Sequence, residues 1–317
     1  MIAQSDTETD AKYSDNFLVN TLTDKTSETL KSSATPLARN HWAQKHHGFY
    51  QKFHVDISKP LPVIKRAQIQ QYNELLLNGH QATGHTSGST SMPIKVSWQV
   101  ERHKIEKADT QRLKQWYGGQ LTPMKIVALA THEAHAGSLV IETKLAKQWQ
   151  FMQNQHAQFG ADSLISYPTN LERLCHYAIE KGLTLAFVKR VTAMSETYDA
   201  HMDALLKQVF PNATIIVTYS SVECGTIAIR CPHNPDNYHV MAHKLGVEIL
   251  NEQQLPCALG ELGQVVITDY FNQHSSLIRY ALGDLAEPAV CDCGKIPFPA
   301  ITHIAGKMRG LLRRADG

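Results

Sequence analysis

Ser163-Leu164-Ile165-Ser166-Tyr167, followed at once by Pro168-Thr169-Asn170-Leu171, is the run on which the fold turns. The first five residues read as a short buried strand. Pro168 then stands where a helix can begin, because the first helical N–H has no partner to lose there. Leu171, Leu174, Cys175 and Ala178 recur at helical spacing, and Gly182 stops the pattern. The same alternation extends in both directions. Lys125 to Ala130 reads as a buried strand, Lys144 to Gln158 as a helix and Leu183 to Val191 as a strand. Met202, Leu205, Leu206 and Val209 line another helix, and Ala213 to Thr218 is again an apolar strand. Strands separated by helices of this length predict βαβ units and a parallel sheet.

Beyond Tyr219 the alternation stops. Thr226 to Arg230, Val247 to Asn251 and Gly263 to Thr268 read as strands joined by Gly, Pro and Asn turns, with no helices between them. That pattern predicts an antiparallel, barrel-like region after the α/β part. On the N-terminal side, Lys59 to Ile64 is extended and Arg66 to Leu77 a short helix. Gly79 to Pro93 is a Gly/Ser/Thr loop, and a polar helical stretch runs through Trp116. The expected organisation is a tail over 1–36, an α/β nucleotide-binding part over 37–220, a β-rich subdomain over 221–305 and a hinge remnant over 306–317.

Composition sets the bounds. With 43% hydrophobic and 19% charged residues in 317, the chain can bury a large core, which excludes a disordered, collagen-like or coiled-coil protein. The net charge of +2 leaves no basic footprint for nucleic acid or an anionic membrane. No run approaches the ~20 apolar residues of a membrane span, and 1–36 lacks the pattern of a secretory signal. Six Cys are too few for a disulfide scaffold. The expectation is a reducing, cytoplasmic setting, in which Cys clusters serve metals or catalysis.

Three segments carry candidate chemistry. Gly84-His85-Thr86-Ser87-Gly88-Ser89-Thr90-Ser91-Met92-Pro93 is rich in small and hydroxyl residues, whose N–H and O–H groups can crowd round a phosphate. It lacks the Gly-Lys-Ser/Thr ending of a Walker A loop, and a polar loop without function reads the same. Tyr219-Ser220-Ser221-Val222-Glu223 follows the last buried strand. It sets a carboxylate at the crevice end of a parallel sheet, where metal-bound nucleotides are held. Arg279-Tyr280-Ala281-Leu282-Gly283-Asp284 sets an Asp after an expected tight Gly turn, fit to accept ribose hydroxyls.

Taken in order, these three segments resemble the adenylate-forming superfamily of acyl-CoA ligases and adenylation domains. The nearest branch by resemblance is that of phenylacetate–CoA ligases and capsule-biosynthesis proteins. Ser166-Tyr167-Pro168-Thr169, the run from Gly260 to Asp269, and Cys291-Asp292-Cys293-Gly294-Lys295 add to the likeness, which covers about residues 40 to 317. The resemblance implies an α/β fold: the large N-terminal domain, with a parallel βαβ sheet followed by an antiparallel barrel-like part. It implies activation of an organic carboxylic acid, aryl acids among the candidates, by ATP and Mg²⁺ as acyl-adenylate, with CoA or a carrier-protein thiol as acceptor. Thr86, Ser87, Gly88, Ser89, Thr90 and Ser91 would hold the β- and γ-phosphates, with Thr90 and Glu223 the catalytic pair and Glu223 the Mg²⁺ ligand. Tyr219 and Ser220 would lie by the adenine or acyl-adenylate, and Asp284 would hold the ribose. Lys307 would stand in for the hinge Arg.

The pattern also has departures. Ser91 replaces the second Gly of the loop. Ile94 follows Pro93 where a Lys is usual, Leu282 replaces a Thr or Ser, and Lys307 replaces Arg. The resemblance further implies a small C-terminal domain that the sequence does not include. The competing expectation is therefore a truncated, inactive or partner-dependent relative serving as a binding subunit. A metal-binding structural protein is the third.

Cys291-x-Cys293-Gly294 has half of a zinc-knuckle spacing. Cys231, with either His239 or His233, offers the other half of a tetrahedral Cys₃His set; members of the resembled branch have a similar arrangement. The bland alternative is a pair of small buried cysteines. Cys175, Cys224 and Cys257 read as core or surface residues. His132-Glu133-Ala134-His135 is not the H-E-x-x-H of a zincin. Trp98, Trp116 and Trp149 read as core or interface residues on helical patterns rather than a substrate cage.

Overall fold

The computed structural model describes residues 36–52, 61–86, 92–119, 121–127 and 137–306. The expected tail over 1–35, the loop interior 87–91, the segment 128–136 and the stretch 307–317 lie outside the described residues.

In chain order the helices are α1 (Pro36–His46), α2 (Gly48–Gln51), α3 (Arg66–Gln71), α4 (Asn73–Leu76), α5 (Val100–Tyr117), α6 (Leu145–Phe159), α7 (Pro168–Glu180) and α8 (His201–Val209). The strands are β1 (Gly84–His85), β2 (Lys95–Val96), β3 (Pro123–Val127), β4 (Ser138–Val140), β5 (Ser163–Ser166), β6 (Arg190–Met194), β7 (Thr214–Ser221), β8 (Gly225–Arg230), β9 (Tyr238–Val240), β10 (Leu245–Leu250), β11 (Gly263–Asp269), β12 (Tyr280–Ala289) and β13 (Ala300–Ala305). The chain divides into two compact units. One comprises 1–107, 222–225 and 240–317, and the other 108–221 and 226–239.

The second unit contains the parallel sheet expected from the opening run. β4, β3, β5, β6 and β7 pair in that order, all parallel. Pro168 occupies the first turn of α7, whose buried face carries Leu171, Leu174, Cys175 and Ala178. That face joins Leu164, Val191, Leu206 and Phe210 in one apolar core. Each fully buried aliphatic side chain there contributes about 1.5–3 kcal/mol. Gly160 ends α6 in the left-handed region at φ 66°, the conformation only glycine adopts without strain.

Two local expectations for this unit and the next need correction. The strand expected from Leu183 begins only at Arg190. Leu183 to Lys189 is apolar because it packs as a connection: Leu185 N–H donates to Val209 O, Val188 N–H to Leu185 O and Lys189 N–H to Asp162 O. Apolar content alone does not separate a buried strand from a buried loop. The tight turn expected at Gly283 is instead part of the ten-residue strand β12. The glycine's positive φ of 94° accompanies the irregular pairing of β12 with β11 and β13.

In the first unit β10, β11, β12 and β13 form an antiparallel array in sequence order. Ile64 adds a parallel bridge at the start of β12: its N–H donates to Arg279 O, and Ala281 N–H donates back to Ile64 O. That pairing sets α3, and with it Arg66, beside Tyr280. β1 and β2 make a short antiparallel ladder closing the base of the Gly/Ser/Thr loop, with Thr86 N–H donating to Ile94 O. Trp98 lies just before α5 rather than on a helix. No described helix is long and apolar enough to cross a membrane.

Candidate functional site

Glu223 lies two residues past the end of β7 and is nearly buried, its side chain 6% exposed. A carboxylate taken so far from water needs a counter-charge. Arg66 supplies it, with Nη1 at 2.9 Å from Oε1. The other arm of the guanidinium donates to Thr86 Oγ1 at 2.8 Å. Thr86 is itself buried, and its hydroxyl also accepts the Ile94 N–H at 3.0 Å. One planar fork thus ties the carboxylate after β7 to the first hydroxyl of the loop. Lys, a point charge, lacks the geometry to do both. Tyr280 OH adds a long contact to Glu223 Oε1 at 3.4 Å. Burial, then the neighbouring Glu223 charge, push the Tyr280 phenol well above its usual value, so it stays a protonated donor.

The backbone around Glu223 is gripped from α5 and the residues before it. Trp98 Nε1 donates to Glu223 O at 3.3 Å, and Arg102 Nη2 donates to Cys224 O at 2.6 Å. Arg102 is fully buried. It also pairs with Asp269 (2.7 Å) and with Glu106 (3.0 Å), and Lys244 reaches the same Glu106 oxygen. Burial opposes ionisation of Asp269, but the Arg102 charge and hydrogen bond hold its carboxyl below the usual range. Gly225 completes the grip with φ +68°. A Cβ there would sit 2.5 Å from the Glu106 carboxylate and 2.8 Å from the Trp98 ring, so α5 lies against this turn more closely than any side chain allows.

No family model matches the chain, and no curated protein matches it. Solved structures do. A 2-hydroxyisobutyryl-CoA ligase in an open conformation, with 2-HIB-AMP and CoA, superposes at TM-score 0.68 and 12% identity, covering 88% of this chain and 74% of that one. The same ligase in its postadenylation state, with 2-HIB-AMP, gives 0.69 and 14% over 90% and 69%. A long-chain-fatty-acid-CoA ligase from Archaeoglobus fulgidus gives 0.50 and 13% over 71% and 50%. The fold is that of the adenylate-forming enzymes. It corresponds to their large N-terminal domain, as the order of strands and helices suggests.

Within the adenylate-forming fold the residues expected to act fall as follows. Thr86 is described and meets Arg66. Ser87, Gly88, Ser89, Thr90 and Ser91 lie outside the described residues, as do Lys307 and the His132–His135 run. Tyr219 and Ser220 are partly exposed at the C-terminal end of β7, where Ser220 Oγ lies 3.3 Å from Ser195 Oγ. Ser195 follows β6 and has a positive φ of 63°. Asp284 is buried within β12.

Cys231 and His239 belong to the second unit, Cys291 and Cys293 to the first. Cys231 Sγ accepts the N–H groups of His233 and Asn234, both at 3.4 Å. Gly294, at φ 59°, makes the turn after Cys293. Three sulfurs and one imidazole are a soft, tetrahedral-type set that suits Zn²⁺ better than Mg²⁺.

Arg66, Trp98, Arg102 and Tyr280 were not among the expected site residues. Tyr280 lay inside a quoted motif without a role. Arg66 gave no signal, because its partner Glu223 is 157 residues away.

Proposed function

We propose that the chain activates an organic carboxylic acid with ATP, forming an acyl-adenylate. A carboxylate oxygen attacks the α-phosphorus, the bond from that phosphorus to the bridging oxygen breaks, and pyrophosphate leaves. The observation that carries this reading is the Arg66 fork joining buried Glu223 to Thr86. It gathers, at the end of a parallel strand, the groups a triphosphate needs. A buried carboxylate oxygen beside hydroxyls is a hard donor set that fits Mg²⁺. Bound there, Mg²⁺ would neutralise phosphate charge. Glu223 would hold it, and the hydroxyls and N–H groups of 86–91, Thr90 included, would orient the phosphates. Tyr219 and Ser220 would border the adenine, Asp284 would accept the ribose hydroxyls, and Lys307 would serve at the hinge. The work is positioning and charge stabilisation.

The resemblance to phenylacetate–CoA ligases favours an aryl acid. CoA is the favoured acceptor, with a carrier-protein thiol second; the 2-hydroxyisobutyryl ligase, similar in fold, was solved with both its acyl-AMP and CoA. The test is acid-dependent exchange of labelled pyrophosphate into ATP, screened over aryl and short branched acids. Exchange with one class of acid, abolished by Glu223→Gln, is the expected result. Exchange that survives Glu223→Gln removes the metal role. No exchange by folded protein with any acid turns the reading to a partner-dependent binding subunit.

For Cys231, His239, Cys291 and Cys293 we propose structural Zn²⁺, supported by the Cys291-x-Cys293-Gly294 spacing and by the softness of three sulfurs and one imidazole as a ligand set. Elemental analysis of protein purified without chelator should find about one zinc per chain, and Cys293→Ser should lower it. A value near zero ends the proposal.

A further inference from the structure

Glu223 carries two obligations that conflict. With ligand present its carboxylate is wanted by a cation. Without ligand it is buried, and a buried carboxylate with no counter-charge is strongly destabilising. Arg66 already occupies Oε1. Its anchorage is particular: it is the first residue of α3, its backbone is fixed by the Ile64 bridge to β12, and its side chain is still 21% exposed. The side chain is partly exposed, so it is not locked in the interior as Glu223 is. Its second arm rests on Thr86, at the mouth of the hydroxyl-rich loop. A guanidinium released from Glu223 would therefore stay at the loop. The sequence also lacks a lysine directly after Pro93, where Ile94 stands, and Lys95 is turned to Glu74 at 3.0 Å. Among the described residues, Arg66 is the cation hydrogen-bonded to the loop's Thr86.

We propose that Arg66 is an exchangeable counter-ion. It neutralises Glu223 in the ligand-free protein, yields Oε1 to the metal that accompanies the nucleotide, and then turns its freed arm to the phosphates beside Thr86. The inference rests on the adenylating reading for the identity of the ligand, but not for the ion exchange itself. Arg66 and the cation compete for one carboxylate oxygen, so the free protein binds divalent metal weakly and the nucleotide complex binds it well. The exchange keeps Glu223 compensated in both states, and it couples metal entry to delivery of a second positive charge at the leaving group.

The experiment measures Mn²⁺ binding to the full chain by electron paramagnetic resonance, without acid or ATP. Arg66→Met should bind Mn²⁺ about tenfold more tightly than the parent, since the competitor is gone. The gain should vanish in Arg66→Met/Glu223→Gln. Arg66→Lys, which keeps the charge but cannot fork, should show a gain of about threefold, and it decides the matter if Arg66→Met does not fold. Unchanged or weaker Mn²⁺ binding in a folded Arg66 variant overturns the proposal, as does a gain that survives loss of Glu223. A gain in metal affinity from a chain that shows no pyrophosphate exchange supports the ion exchange and counts only against adenylation. Exchange activity with no gain counts only against Arg66.

Discussion

The two units of the molecule differ in how deeply they bury charge beside their apolar cores. The parallel unit closes over an apolar core in which Leu164, Leu171, Leu174, Val191 and Leu206 are almost completely hidden. The unit holding Glu223 buries Arg39, Arg102, Lys244, Asp269 and Glu223. Arg39 is compensated by the Asp269 carbonyl and Ser276 Oγ, Arg102 by Asp269 and Glu106, and Lys244 by Glu106. Apolar packing is non-directional and tolerates substitution by shape. A buried charge network is directional, and each member depends on its partners. The comparison teaches that the scaffold is built for tolerance and the site for position.

The sharpest break comes from Arg102→Leu. It strands Asp269 in the interior, removes the bond to Cys224 O, and should cost about 4 kcal/mol in urea unfolding. Leu174→Ala should cost about 3 kcal/mol by its cavity, with pyrophosphate exchange retained at temperatures where the protein stays folded. A loss of exchange out of proportion to unfolding would blur the division between scaffold and site.

Acid should act on the charged unit through His47. Burial, followed by the nearby Arg39, pushes its pKa from 6.5 down to about 4. The folded value lies below the unfolded one, so the unfolded chain takes the proton first as pH falls. This contribution to stability is fully present above pH 6.5 and lost towards pH 4, amounting to about 3 kcal/mol. His47→Phe should flatten the unfolding midpoint across that window. The smallest effect belongs to the parallel unit. Gly160→Ala meets no atom within 4 Å but forces φ +66° on a Cβ, for about 1 kcal/mol in the same urea assay.

The same contrast explains what the sequence made legible. The period of Leu171, Leu174, Cys175 and Ala178 and the proline before them are local signals, and the parallel unit follows them closely. Glu223 and Thr86 stood out because small hydroxyl residues and a carboxylate at a strand's end are chemically conspicuous. Arg66 and Arg102 were not legible. Nothing near either residue distinguishes it from a surface arginine, and its meaning lies in partners 157 and 167 residues away. Leu183 to Lys189 misled for a related reason: its apolar side chains fill a core from a connection, a choice made by tertiary contacts. The Cys291-x-Cys293 pair was legible by its spacing, which is a local signal.

The bond from the Tyr50 hydroxyl to Ser276 O spans 226 residues. At about 5–20 residues per second of synthesis, roughly 10–45 s separate the appearance of its two ends. Arg66 waits similarly for Glu223 and for the strand that begins at Tyr280. The parallel strands pair over shorter separations and have a head start. During biogenesis the chain therefore passes through an interval in which its apolar scaffold forms while Arg39, Arg66 and Arg102 are still solvated, and the charge network around Glu223 closes late in the life of each new molecule.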